Sequence, residues 1–200
     1  MLTFVTDQSV ISVMGKKQHI INTATQLFVE LGFHGTATSK IAQQAGVANG
    51  TLFNYFKTKD ELIVTLYFSI LAEMDDYIIN RMTSQSITKE SFQSLFFVTL
   101  FWSLDNRIQH QYVQQFNHSP YFQQVATTGL NQEEHPLLIL IQNGIDLVLL
   151  KPLSASFIFS LCTAQINGLF NYIIANDLAK EKQLELIQET FEMLWKMIED

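Results

Sequence analysis

The chain has 200 residues, 48% of them hydrophobic, with sixteen Phe and only three Pro. This excludes a disordered or low-complexity chain and leaves enough apolar surface for a core that needs no disulfide or metal to hold it. The net charge of −7 is unevenly divided: residues 1–60 hold five basic and three acidic side chains, a balance of +2, while residues 61–200 hold seven and sixteen, a balance of −9. DNA phosphates repel an acidic surface, so a contact with nucleic acid is expected only in the N-terminal segment.

Met1 to Gly15 carry no Lys or Arg, and Asp7 and Gln8 interrupt the apolar stretch. That is a poor secretory signal and predicts no export. Met14-Gly15-Lys16-Lys17 reads as a natural protein start, so the preceding thirteen residues are expected to be an extension or the result of a misplaced start codon. The single Cys162 has no intramolecular partner, packs in the core by default and fits a reducing cytoplasm.

Strand-like alternation is weak, so the expected fold is all-α. Ile20, Ile21, Ala24, Leu27, Phe28 and Leu31 fall at helical spacing and predict a helix over 16–31, stopped by Gly32. Thr36 or Thr38 is the candidate cap of a short second helix whose apolar side is Ile41, Ala42 and Ala45 and whose end is Gly46. Leu52, Phe53 and Phe56 then repeat at three to four residues and predict another short helix. Two such helices, about 38–45 and 49–55, joined by a tight turn containing Gly, have the layout of a DNA-binding helix-turn-helix. Small Ala42 and Ala45 allow close approach, and Val47 fills the angle between the helices. The second helix is left to enter the major groove. A longer amphipathic helix follows to about Arg81, with Thr58 as cap and Asp60 and Glu61 near its positive end.

The run Lys17-Gln-His-Ile-Ile, Ala24, Leu27-Phe28, Gly32-Phe33, Gly35-Thr36, Ile41-Ala42, Ala45-Gly46-Val47, Gly50-Thr51-Leu52-Phe53-Asn54-Tyr55-Phe56, Lys59 and Leu62 closely resembles the TetR family of transcriptional regulators. The resemblance covers roughly a quarter of the chain. It implies a three-helix DNA-binding domain within 1–60 and a larger helical effector-binding and dimerisation domain over 61–200. The protein is then a ligand-responsive regulator, expected to repress, that binds a palindromic double-stranded operator as a homodimer and is released by a small molecule. Carried over by position, the resemblance places Thr38 and Ser39 at the start of the supporting helix, against phosphate or a base. Asn49, Gly50, Thr51, Phe53 and Asn54 fall on the recognition helix, and Tyr55 and Lys59 on phosphates. The chemistry of these side chains suits the roles: an amide on Asn49 for adenine or phosphate, a glycine for close backbone approach, a hydroxyl and methyl on Thr51. Two positions depart from the family's usual pattern, Lys40 where an acid is common and Asn49 where a base is common.

Beyond Ser84 the pattern resumes with Phe92, Leu95, Phe96, Thr99, Leu100 and Trp102 and an aromatic-rich stretch to Phe122, broken at Pro120. Further helices are expected over 134–150, 153–175 and 180–198. Pro152 to Asn176 holds no charged residue and is long enough to cross a bilayer. Its Ser154, Ser156, Ser160, Thr163, Gln165, Asn167 and Asn171 would each need a partner in lipid. A helix buried in protein or between two subunits is the better account, and no membrane partner is expected. This helix and the last one are expected to form the dimer interface through Phe157, Leu161, Ala164, Gly168, Leu184, Ile187, Phe191 and Leu194. An apolar or aromatic effector is expected near Phe101, Trp102, Tyr112, Phe116 and Phe157, between the helix after Lys57 and the uncharged helix. The acidic balance favours a cationic amphiphile there. His110 and His118, with Glu133, Glu134 and His135, have no metal-ligand spacing, and neither metal nor cofactor is expected. Asp75-Asp76, adjacent on a helix, point in different directions and are no acid/base pair. No signature of a nucleophile, phosphate loop or catalytic carboxylate pair is present, so no enzymatic activity is expected.

Overall fold

The computed structural model describes residues 7–82, 86–127 and 136–200, with side chains over 15–82, 86–125 and 137–200. Ten helices follow in order: α1 (Asp7–Gly35), α2 (Thr38–Gln44), α3 (Asn49–Tyr55), α4 (Lys59–Ile79), α5 (Lys89–Asp105), α6 (Arg107–Asn117), α7 (Pro120–Thr127), α8 (Pro136–Asp146), α9 (Ala155–Ala175) and α10 (Lys180–Ile198). The all-α expectation holds. Glu133, Glu134 and His135 lie outside the described residues, as do the first six of the chain.

Local chemistry accounts for several boundaries. The α1 backbone begins at Asp7, earlier than its apolar periodicity, and leaves helical geometry at Gly32, where φ is 76°. Neither threonine caps α2: its N-cap is Ala37, without a side-chain hydrogen bond. Thr36 instead turns back and donates to the carbonyls of Gly32 (2.8 Å) and Leu27 (3.1 Å), satisfying acceptors at the end of α1. The cap expected at Thr58 is present. Its hydroxyl accepts from the Glu61 amide at 3.0 Å, while the Glu61 carboxylate accepts from the amide of Lys57, the residue before the cap, at 2.7 Å. Thr88 and Ser154 do the same single-sided work for α5 and α9. Pro120 and Pro136 stand at the first residues of α7 and α8, where a missing N–H costs nothing.

The chain divides into two compact units, each with its own core. One comprises the residues up to Leu71 together with α6 from Ile108 and α7; the other comprises Ala72–Arg107 and the chain from α8 onward. In the first, Ile20, Ala24, Leu27 and Phe28 of α1 are buried with Ile41, Leu52, Phe56, Leu62, Ile63 and Leu66. Around Phe33 the rings of Phe28, Tyr112, Phe116 and Tyr121 meet at centroid distances of 5.4–6.3 Å. Tyr67 stacks on Phe116 at 3.9 Å. Such ring pairs add to the burial of the rings themselves.

In the second unit α9 packs against α5, α8 and α10. Its core joins Phe92, Phe96, Leu100, Ile141, Ile158, Ile166, Phe170, Phe191 and Trp195. Gly144 stands where α8 packs tightly: a Cβ there would sit 3.0 Å from the side chains of Leu150 and Phe92. After α8 the chain crosses to the end of α10, where Leu150 bridges Glu199 and the Lys151 amide donates to Ile198 at 2.8 Å. Lys89 pairs with Glu192 at 2.7 Å and links α5 to α10. Among the described residues α9 alone is long and apolar enough to cross a membrane, and it buries one face in this protein core.

Candidate DNA-binding face and candidate effector cavity

The turn between α2 and α3 is fixed by backbone hydrogen bonds. Val47 donates to the Ala42 carbonyl at 3.0 Å and Gly46 to the Gln43 carbonyl at 3.2 Å, the two bonds of a Schellman motif. Gly46 takes the left-handed conformation this motif needs, at φ 67°. The turn delivers α3 with Leu52 fully buried and Phe56 nearly so. At about 100° per residue, Phe53, Gly50 and Asn54 fall roughly 100–200° around α3 from Leu52, and Asn49, at the first residue of the helix, about 60° from it. All four are exposed, Phe53 at 37%.

The other residues expected at DNA lie around this arc. Thr51 and Tyr55 are half-buried at its margin, Lys59 is half-buried at the first residue of α4, Ser39 is exposed on α2 and Thr38 half-buried beside it. Lys40 and Lys57 are exposed. The structure therefore gathers the recognition-helix residues on one accessible surface with cations on the neighbouring elements. A feature not anticipated from sequence joins the same unit from far along the chain: the Tyr121 hydroxyl of α7 donates to Asp60 at 3.0 Å, next to Lys59. Partial burial, then this bond to a carboxylate, push the Tyr121 pKa up.

The residues expected to hold an effector fall in both units, Tyr112 and Phe116 in the first and Phe101, Trp102 and Phe157 in the second. Tyr112 and Phe116 are fully buried, Tyr112 with its hydroxyl on the Ile63 carbonyl at 2.8 Å and Phe116 stacked on Tyr67; they pack inside the first unit. Burial drives the Tyr112 pKa far up. Trp102 is buried, Phe101 half-buried, and Phe157 is 51% exposed. The cavity found in the second unit is lined instead by Phe92, Leu95, Phe96 and Thr99 of α5, Leu137 of α8, Cys162 and Ile166 of α9, and Phe191, Leu194 and Ile198 of α10. The α5 members are one helical face, at i, i+3, i+4 and i+7, so the periodicity that marks this helix also marks the lining. At about 20 Å³ the cavity has room for about one water, far below the ~300–1,000 Å³ of ligand clefts. Its only polar groups are the Thr99 hydroxyl and the Cys162 thiol, which burial pushes up to about 11. No charged side chain lines it, so its lining offers no partner for a cationic group.

The expected interface residues divide by face. On α9, Phe157, Ala164 and Gly168 are exposed and Leu161 half-buried; on α10, Leu184 is exposed. Ile187, Phe191 and Leu194 are buried in the subunit's own core. The apolar period along α10 marks its inward face, and the outward apolar side chains are Leu184, Met193 and Met197, joined on α9 by Phe157 and Tyr172.

An all-α chain that presents a glycine-turned helix pair with an exposed second helix has the architecture of a helix-turn-helix transcriptional regulator. Residues 20–66 match the model of the bacterial regulatory proteins, tetR family. A Shewanella sp. PV-4 protein assigned to the tetR family of transcription regulators superposes with a TM-score of 0.83 at 29% identity, over 92% of this chain and 98% of that one. Over residues 20–66 the chain thus matches the tetR-family model, and over 92% of its length it shares the fold of a solved TetR-family transcription regulator. The fatty acid metabolism regulator protein of Bacillus subtilis is 33% identical over 75 residues, 38% of this chain and 39% of that protein. The transcriptional regulator RutR of Escherichia coli is 38% identical over 60 residues, 30% of this chain and 28% of that protein. These sequence matches thus span well under half of the relatives' length. The B. subtilis FadR structure, solved in complex with stearoyl-CoA, has the same fold: TM-score 0.69 at 20% identity, over 89% of this chain and 97% of that one.

Proposed function

We propose that the chain is a cytoplasmic, ligand-responsive repressor that binds a palindromic operator as a homodimer and leaves it when a small apolar effector enters the second unit. The observation that carries this reading is the exposed arc of Asn49, Gly50, Phe53 and Asn54 held over a fully buried Leu52. A rigid underside with a polar, accessible upper side is what reading base edges requires. Thr38, Ser39, Tyr55 and Lys59 fix the register by binding phosphates, and Thr51 adds a hydroxyl and a methyl at the groove. Two copies place two α3 helices about 34 Å apart, one turn of DNA. The pairing surface is the outward side of α9 and α10, where Phe157, Tyr172, Leu184, Met193 and Met197 leave large apolar groups in water.

The cavity supports an aliphatic effector: ten side chains line it, none of them charged, and a ligand must part the helices to enter. A ligand that binds only the opened state shifts the population by its differential affinity for the two states, and DNA affinity falls by the same coupling. A saturated acyl chain has this chemistry, and the B. subtilis FadR is seen with one, as its CoA thioester. The test is fluorescence anisotropy with a duplex from the protein's own upstream region. Saturable binding at submicromolar protein, reversed by stearoyl-CoA or a medium-chain acyl-CoA but not by CoA alone, is the expected result. Equal affinity for that duplex and for random DNA of the same length overturns the operator reading, and binding unaffected by every acyl-CoA overturns the effector.

A further inference from the structure

The recognition surface is unusual in what it lacks. The sequence of α3, Asn-Gly-Thr-Leu-Phe-Asn-Tyr, contains no charged residue, so no Arg or Lys on it can make the bidentate bond to the O6 and N7 of guanine that is the commonest specific contact in the major groove. It offers two exposed carboxamides, Asn49 and Asn54, neither of them engaged in a hydrogen bond among the described residues. Between them lies an exposed aromatic ring, Phe53, on a face whose centre, Gly50, has no atom within 4 Å of where a Cβ would stand. A carboxamide pairs bidentately with the N6 and N7 of adenine, and an apolar ring packs on the C5 methyl of thymine. Both chemistries select the same base pair, and the open face at Gly50 lets the backbone come close enough for short side chains to reach the base edges.

We propose that the base pairs facing α3 are A·T pairs, read by Asn49 and Asn54 through adenine amide contacts and by Phe53 through a thymine methyl group, so that the operator half-site has an A·T-rich centre of recognition. The inference rests on the reading of α3 as the groove-entering helix. The cations Lys40, Lys57 and Lys59 lie on α2, on the α3–α4 link and at the start of α4. They supply attraction to phosphates without base preference.

The experiment is selection of bound duplexes from a randomised pool by the full-length protein, followed by base-analogue substitution in the selected site. The positions that face α3 are those at which Phe53→Ala or Asn54→Ala relaxes the preference, in variants that keep the helical circular dichroism of the wild type. A·T pairs are expected there. Replacing one such thymine by uracil, which removes only the methyl group, weakens the wild-type protein several-fold and leaves Phe53→Ala indifferent. Replacing adenine by 7-deazaadenine costs roughly five- to a hundredfold in the wild type and little in Asn54→Ala. G·C pairs at those positions, or analogues that change nothing, overturn the inference while leaving DNA recognition intact. If no sequence is enriched from the pool, the reading of α3 as the groove-entering helix fails, and the inference with it.

Discussion

The two compact units use similar aromatic material for opposite ends. In the first, rings interlock around Phe33 and the buried phenols are bonded: Tyr112 to the Ile63 carbonyl at 2.8 Å, Tyr67 to Asn117 at 3.1 Å. Burial pushes the Tyr67 hydroxyl up to about 12, so it stays a neutral donor. In the second, Phe92, Phe96, Phe191 and Trp195 surround a core that keeps a cavity, and large apolar side chains stand in water, Met193 at 62% exposure. Full packing and satisfied polar groups give one conformation with steep costs for change. The difference teaches that the same residue types, with rings in contact in both units, build a core closed by bonded phenols in one and a core that keeps a small cavity in the other.

That contrast can be broken by substitution. Phe116→Ala, at the stacked centre of the first unit, is expected to lose ~3–5 kcal/mol in urea unfolding. A cost below about 1 kcal/mol would show the cluster to be loosely packed. In the second unit the thiol of Cys162, raised by burial to about 11, should react with a neutral disulfide reagent at pH 8 roughly a hundredfold more slowly than an exposed cysteine. Its rate should climb tenfold per pH unit until pH passes that value, and stopped-flow absorbance checks both. An acyl-CoA that opens the cavity should change this rate, whereas a tightly closed core would leave it alone. Leu184→Glu combined with Met193→Glu is expected to weaken self-association at least tenfold in sedimentation equilibrium without loss of helical circular dichroism, since both side chains already face water. An unchanged assembly would place the pairing surface elsewhere. The smallest effect belongs to Tyr121→Phe, which removes one partly exposed hydrogen bond to Asp60 and should cost ~0.5–1 kcal/mol.

Much of this was legible in the sequence, and unevenly so. The helix-turn-helix could be read because its constraints are local: Gly46 for a left-handed turn, Ala42 and Leu52 for close packing, Thr58 for the cap of α4. Thr36 misled, because a threonine before a helix is a cap by local rules, yet its hydroxyl is drawn to carbonyls nine and four residues back. The same limit hid the role of Tyr112 and Phe116. Aromatic residues at helical spacing mark a buried face, but whether they meet α1 and α4 or a ligand depends on residues some fifty positions away. For α10 the period of Ile187, Phe191 and Leu194 identifies the stripe turned into the core, and an interface beyond that core is carried by the scattered Leu184, Met193 and Met197, which show no such period.

The central claim, that α3 reads bases while Lys59 holds a phosphate, is tested most directly by measuring the affinity of wild-type, Asn49→Ala and Lys59→Ala proteins for operator and random duplexes across a salt series. The account predicts that Lys59→Ala weakens both duplexes alike and lowers the slope of log affinity against log salt by about one per subunit. It predicts that Asn49→Ala costs ~1–3 kcal/mol on the operator and little on random DNA, with the slope unchanged. An unaltered slope for Lys59→Ala together with equal losses on both duplexes for Asn49→Ala would contradict it.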